Sequence, residues 1–232
     1  MHHPISLRGK LSWLALPVAL LATASAVAAT IPHDQVQPIP AAGEAFLFKF
    51  QPYLKVEDGC VPFPAVDAQG NTSGGLKASG ARNGGCSAST GQVYARALTY
   101  NGDCAVMYSW YFPKDQVIDG HRHDWENAVV WLSDCSSNAS IRAVSYSAHS
   151  GYEKTVSPPT ANGRPLVRYY TDGFTNHKLG STGSQGGSQP LIQWEALPAA
   201  ARTALTDTSF GDANVPMKDA NFINNLAKAY YK

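Results

Sequence analysis

The sequence predicts a mainly β fold, a β-sandwich carrying a few peripheral helices. Three observations point there. Only 15% of the 232 residues are charged, and there are 20 glycines and 10% aromatic residues. That balance suits an extracellular β domain with many turns better than a helical bundle. The segments Ala105–Phe112 (AVMYSWYF) and Asp124–Leu132 (DWENAVVWL) concentrate aromatic and β-branched side chains, as strands do. Finally, all four cysteines follow residue 59, and an even count in an exported chain predicts two disulfides.

The elements follow in chain order. Residues 1–29 read as a secretory signal peptide. Arg8 and Lys10 supply a positive start, Leu11–Leu21 is apolar, and small residues end the segment at Ala28-Ala29. The apolar run is too short to span a bilayer as a helix. Residues 30–232 then form one domain, a length that supports a single sizeable core. The net charge of +1 excludes nucleic acid as a partner.

Ala41–Leu54 predicts a short helix running into a strand. Turn residues dominate from Gly59 to Gly91, a long surface excursion that a Cys60–Cys86 bridge would fasten, with a benefit of roughly 3 kcal/mol. If Ala105–Phe112 and Asp124–Leu132 pair in antiparallel fashion, closing near Phe112 and Asp124, Cys104 falls beside Cys135. Trp110, Trp131, Tyr108 and Tyr111 are then core. Strands are also expected at Ile141–Ser147 and Pro165–Tyr170, and a polar loop at Thr171–Pro190. Pro198 suits the first position of a helix. In Asp219–Tyr231, Phe222, Leu226 and Tyr230 share one helical face.

The chemistry concentrates in Gly120-His121-Arg122-His123-Asp124-Trp125-Glu126, preceded by Pro113-Lys114-Asp115. Asp124 and Glu126 share a face of an extended chain. His121 can fold over that face, and Asp115 can close the site from the other end of the connecting loop. Such a set, mostly oxygen donors, suits a hard divalent cation, Mg²⁺ or Ca²⁺, better than zinc or copper. His123 and Trp125 should face the other way, and Arg122 is expected to pair with Asp124. The competing structural reading is a buried charge network that braces the strand. An enzyme alternative, a jelly-roll metal oxygenase, needs both His121 and His123 on one metal.

The heptapeptide Gly120–Glu126 resembles the hallmark of the necrosis- and ethylene-inducing peptide-like family. The likeness extends to Asp58–Asp67, Ser73–Lys77, Met107–Asp115 and Phe210–Pro216. The resemblance implies a sandwich similar to actinoporins and fungal lectins. It implies a non-enzymatic toxin that docks on glycosyl inositol phosphorylceramide headgroups, sphingolipids of the plant plasma membrane, and lyses the cell. It maps the family's metal ligands onto Asp115, His121, Asp124 and Glu126, and its four cysteines fit the family's second type. The loop between Asp115 and His121 is shorter than the family pattern, which leaves Asp119 as an alternative to Asp115. The polar loop with one aromatic, Thr171–His177, offers Asp172, Phe174 and His177 as membrane- or sugar-facing residues. A non-lytic carbohydrate-binding module is the other reading of the same features.

Overall fold

A computed structural model describes residues 28–118, 120–171 and 176–232. The candidate signal segment therefore lies almost wholly outside the described residues, as do Asp119, Asp172 and Phe174. In chain order the strands are β1 (Thr30–Ile31), β2 (Tyr53–Val56), β3 (Thr72–Ser73), β4 (Val93–Tyr100), β5 (Asp103–Asp115) and β6 (His121–Leu132). They continue as β7 (Ile141–Ala148), β8 (Gly151–Thr155), β9 (Thr160–Ala161), β10 (Arg164–Tyr170), β11 (Lys178–Ser181) and β12 (Leu191–Gln193). Among the described residues three α-helices accompany them: α1 (Ala45–Lys49), α2 (Ala199–Asp207) and α3 (Asp219–Ala229).

The predicted sandwich is present. One sheet runs β12-β4-β5-β6-β7-β8, and the other runs β11-β10-β2 with β9 on β10. The β5–β6 pair forms the spine of the larger sheet. Its register sets Phe112 opposite Asp124 and Cys104 opposite Leu132, so Cys104 lies near Cys135 and both expected disulfides form. Between the sheets, the Phe112 ring of β5 stacks on Tyr169 of β10 at 3.8 Å between centroids. Trp110, Trp131, Tyr108 and Tyr111 are all fully buried. Their polar atoms are matched: the Tyr108 hydroxyl donates to the Leu47 carbonyl at 2.8 Å, and the Trp131 indole N–H donates to Ser145 Oγ at 3.0 Å. A buried hydroxyl left unpaired would cost on the order of 1–3 kcal/mol, so these partners determine how the rings sit.

Four expectations change. The β5–β6 strands run further than their hydrophobic stretches, with Asp115 paired to His121, so only residues 116–120 form the connection. The stretch 59–91 is not merely a surface excursion. Phe63, Ala65 and Val66 are buried in the core, and Ser73 N–H donates to the Ala65 carbonyl at 2.9 Å. Residues 171–190 contain β11, antiparallel to β10. Arg122 does not pair with Asp124; its Nη1 donates to the Gly74 carbonyl at 2.8 Å. Four short glycine- and polar-rich residues (KLGS) hid β11 from a pattern reading.

The loop that ends at Cys86 is fastened twice. The disulfide closes it, and Lys114, buried on β5, donates its ammonium to the carbonyls of Ser79 and Ala81 at 3.1 and 2.8 Å. Removing the bridge as the double variant Cys60→Ser/Cys86→Ser should lower the melting temperature by about 10 °C, from roughly 3 kcal/mol at 2–4 °C per kcal/mol. Thermal unfolding followed by circular dichroism checks it.

Candidate functional site

The site lies where β5 ends and β6 begins. Along that ladder Pro113 has no N–H to give, and it stands across from His123, whose backbone is left-handed with φ 64°. That conformation costs a non-glycine residue roughly 1–2 kcal/mol and is held only by its surroundings. The His123 ring is fixed by Tyr111, whose hydroxyl lies 2.6 Å from Nδ1, and by an edge-on contact with Phe210. Burial, with Arg122 and then His121 nearby, pushes its pKa down to about 4, so the ring is neutral at pH 7. His123 is thus a core residue. The oxygenase alternative, which needs His121 and His123 on one metal, has no geometric support.

On the opposite side of the strand three carboxylates gather. Asp115, Asp124 and Glu126 are 1%, 6% and 7% exposed, and all three line one cavity of about 680 Å³ together with His121 and His177. Each is held by a partner from a distant strand or loop. Both oxygens of Asp115 accept from His177, one from the backbone N–H at 3.0 Å and one from Nδ1 at 2.6 Å. Asp124 Oδ2 accepts from the Tyr169 hydroxyl at 2.8 Å. Glu126 Oε2 accepts from the Ser147 hydroxyl. Tyr169 in turn stacks on the His177 ring at 4.6 Å, extending the Phe112 stack to the site.

The charges are not balanced. Burial, and then the Asp115 charge, pushes the Asp124 carboxyl up to about 6. Burial, with Asp124 and then Asp115 beside it, drives Glu126 well above the usual carboxylate range. His121 adds to the mismatch. Its Nδ1 lies 2.7 Å from the His123 carbonyl, an acceptor, so Nδ1 carries the proton. In the neutral ring Nε2 then presents a lone pair that accepts from the Asn176 amide at 3.4 Å and lies 3.8 Å from Asp115 Oδ2. Such a donor set, lone pairs facing lone pairs, fits a hard cation between them. Among the described residues, no group of three or more His, Cys, Asp and Glu side chains is arranged as a closed metal cage. A hard cation in this set would have to be held partly through water.

Of the residues singled out by sequence, Asp115, His121, Asp124 and Glu126 line the same cavity. His177 joins them, but not as a residue on an exposed tip. It is 2% exposed, and its place is beside Asp115. Its Nε2 is buried without a hydrogen-bond partner, 3.8 Å from Asp58 Oδ2. Sequence reasoning missed Tyr169 and Ser147. Neither has a local motif, and only the folding of β10 and β7 against β6 brings them to the acids.

The comparisons with known proteins fit this geometry. Residues 44–229 match the family described as "Necrosis inducing protein (NPP1)". The chain belongs to that family. It is 48% identical over 230 residues to the necrosis-inducing protein NPP1 of Phytophthora nicotianae, covering 93% of this chain and 97% of the relative. Among solved structures, NLPPya in complex with mannosamine superposes with a TM-score of 0.82 at 48% identity, covering 88% of this chain and all of that one. NLPPya has also been solved with glucosamine. The protein described as non-toxic HaNLP3 shares the fold too, with a TM-score of 0.81 at 41% identity over 85% of this chain and 98% of its own.

The acid cluster makes a prediction about the metal-free protein. Asp124 has a folded pKa above its unfolded value, so its protonation favours the fold. That contribution is complete below the unfolded pKa and is lost as pH rises through about 6. Asp124→Asn should therefore melt on the order of 5 °C higher than the parent at pH 7.5 in a chelator, with the difference gone by pH 4. Melting curves across that range measure it.

Proposed function

We propose that this chain is a secreted necrosis-inducing cytolysin, a virulence effector that docks on plant plasma-membrane sphingolipids through their glycosyl inositol phosphorylceramide headgroups. The reading gives Asp115, His121, Asp124 and Glu126 the role of holding one divalent cation, Mg²⁺ or Ca²⁺. The observation that carries it is the buried trio of carboxylates, two with raised pKa values, in a cavity open to a ligand. Bound there, the cation would neutralise the cluster and present a hard positive charge to hydroxyl and phosphate oxygens.

The remaining steps belong to the protein. Tyr169, His177 and Ser147 hold the carboxylates in place, so the donor set is ordered before a headgroup arrives. The cavity rim supplies hydroxyls and amides, the chemistry that orients a sugar. Weak binding at one site is multiplied when many copies meet a surface dense in the same lipid. No bond in the lipid is broken on this reading; damage follows docking. The sugar complexes of NLPPya support headgroup recognition. The likeness to non-toxic HaNLP3 favours, as a second reading, a carbohydrate-binding module of the same fold without lytic activity.

Two outcomes are expected. Calorimetry should show one Mg²⁺ or Ca²⁺ site in the parent, with Glu126→Ala losing it while staying folded. Tight zinc held by His121 and His123 would contradict the proposal. In vesicles containing the plant sphingolipid, Asp124→Ala and Glu126→Ala should abolish dye leakage, and Phe174→Ala should weaken it with metal binding unchanged. Leakage by the parent decides between cytolysin and non-lytic module, and headgroup release would mark the protein as an enzyme.

A further inference from the structure

The sequence holds two Asn-x-Ser/Thr sequons, Asn71-Thr72-Ser73 and Asn138-Ala139-Ser140. Each is an acceptor motif for an oligosaccharide in an exported chain, and the bulk of that group requires a surface position. The structure separates the two. Asn71 is used by the fold: its Nδ2 donates to Asp67 Oδ2 at 2.8 Å, and its Oδ1 accepts from the Ala29 N–H at 3.1 Å. Asp67 Oδ1 accepts in turn from the N–H groups of Gln69 and Asn71 at 3.0 and 2.9 Å, which closes the turn into β3. Thr72 and Ser73 are buried, and Ser73 Oγ accepts from the Tyr111 hydroxyl at 3.0 Å. An oligosaccharide on Asn71 would push the buried Asp67 off its donor, and a buried acceptor left unmatched is costly.

Asn138 is the opposite case. It is exposed, and its side-chain amide makes no hydrogen bond among the described residues. The hairpin that carries it, residues 133–140 between β6 and β7, is held without that amide. The Asn138 N–H donates to Ser136 Oγ at 3.2 Å, the Ala139 N–H to the Ser136 carbonyl at 3.2 Å, and the Ser140 N–H to Ser133 Oγ at 3.1 Å. The Cys104–Cys135 bridge ties the hairpin to β5, and the Lys49 ammonium of α1 donates to the Ser137 carbonyl. Ser140, the third residue of the motif, is exposed as well. The hairpin also lies at the end of β6 remote from the acids, since the strand from Glu126 to Leu132 spans about 20 Å.

We propose that Asn138 is an N-glycosylation site and that Asn71 is not. In a eukaryotic secretory lumen, where a leader such as residues 1–29 would deliver the chain, the donor is an oligosaccharide on a polyprenyl diphosphate. Asn138 Nδ2 attacks the anomeric carbon; the new C1–Nδ2 bond replaces the C1–O bond, the polyprenyl diphosphate leaves, and the amide gives up one proton. Nothing is oxidised or reduced. The proposal is independent of the headgroup reading, and a glycan so placed leaves the acid cavity open.

The test secretes the entire chain from a eukaryotic host cell and maps its peptides by mass spectrometry before and after peptide N-glycosidase, which leaves aspartate where a glycosylated asparagine stood. The parent should carry a single glycan, on the peptide containing Asn138, with Asn71 unmodified. Asn138→Gln and Ser140→Ala should each lose the glycan completely. Both should melt like the enzymatically deglycosylated parent, because neither side chain holds the fold. Asn71→Gln should keep the glycan and melt lower. A parent secreted without a glycan on Asn138, a parent carrying one on Asn71, or a glycan that survives Asn138→Gln overturns the assignment.

Discussion

The placement of three buried acidic side chains at one end of the sandwich is the constraint on which the rest of the site depends. Carboxylates that close repel one another, and each would also gain by returning to water. Asp124 and Glu126 register that cost as raised pKa values. A fold retains such a cluster only when its surroundings fix it firmly, and the surroundings here do. Each acid accepts a hydrogen bond from a residue far away in sequence, contributed by β7, by β10 or by the segment entering β11.

The same constraint explains features that look unrelated. The stack Phe112–Tyr169–His177 runs from the packed interior to the Asp115 carboxylate, so core packing and acid placement are one structure. His177 then faces Asp58, two residues before Cys60, and Asp58 is paired with Arg82 inside the bridged loop. The Cys60–Cys86 disulfide and buried Lys114 thus steady the region behind the site as well as the loop. His123 absorbs the left-handed backbone where β6 turns its acids inward, with Tyr111 and Phe210 holding the ring.

Much of this was legible in the sequence, for physical reasons. Period-two alternation put Asp124 and Glu126 on one face, and dense aromatic runs marked β5 and β6 with nearly the right register. That register was enough to bring Cys104 to Cys135. What stayed hidden depends on contacts between distant segments. Ser147 and Tyr169 are ordinary strand residues until β7 and β10 are folded against β6. His177 was noticed for its polar surroundings, and its burial follows from the packing of Tyr169 above it, which no local pattern records. The short strand β11 lacks the apolar signal because its glycine and serine are fitted against β10 rather than chosen for a hydrophobic face.

The central claim is that the acid cluster is built to hold one hard cation. Crystals of the mature protein grown with Mn²⁺, a hard ion that scatters anomalously, test it most directly. The account predicts a single anomalous peak within coordinating reach of Asp115 and Asp124, with His121 and Glu126 around it and water completing the shell. An empty cluster at saturating Mn²⁺, with the carboxylates protonated and bonded to one another, would contradict it.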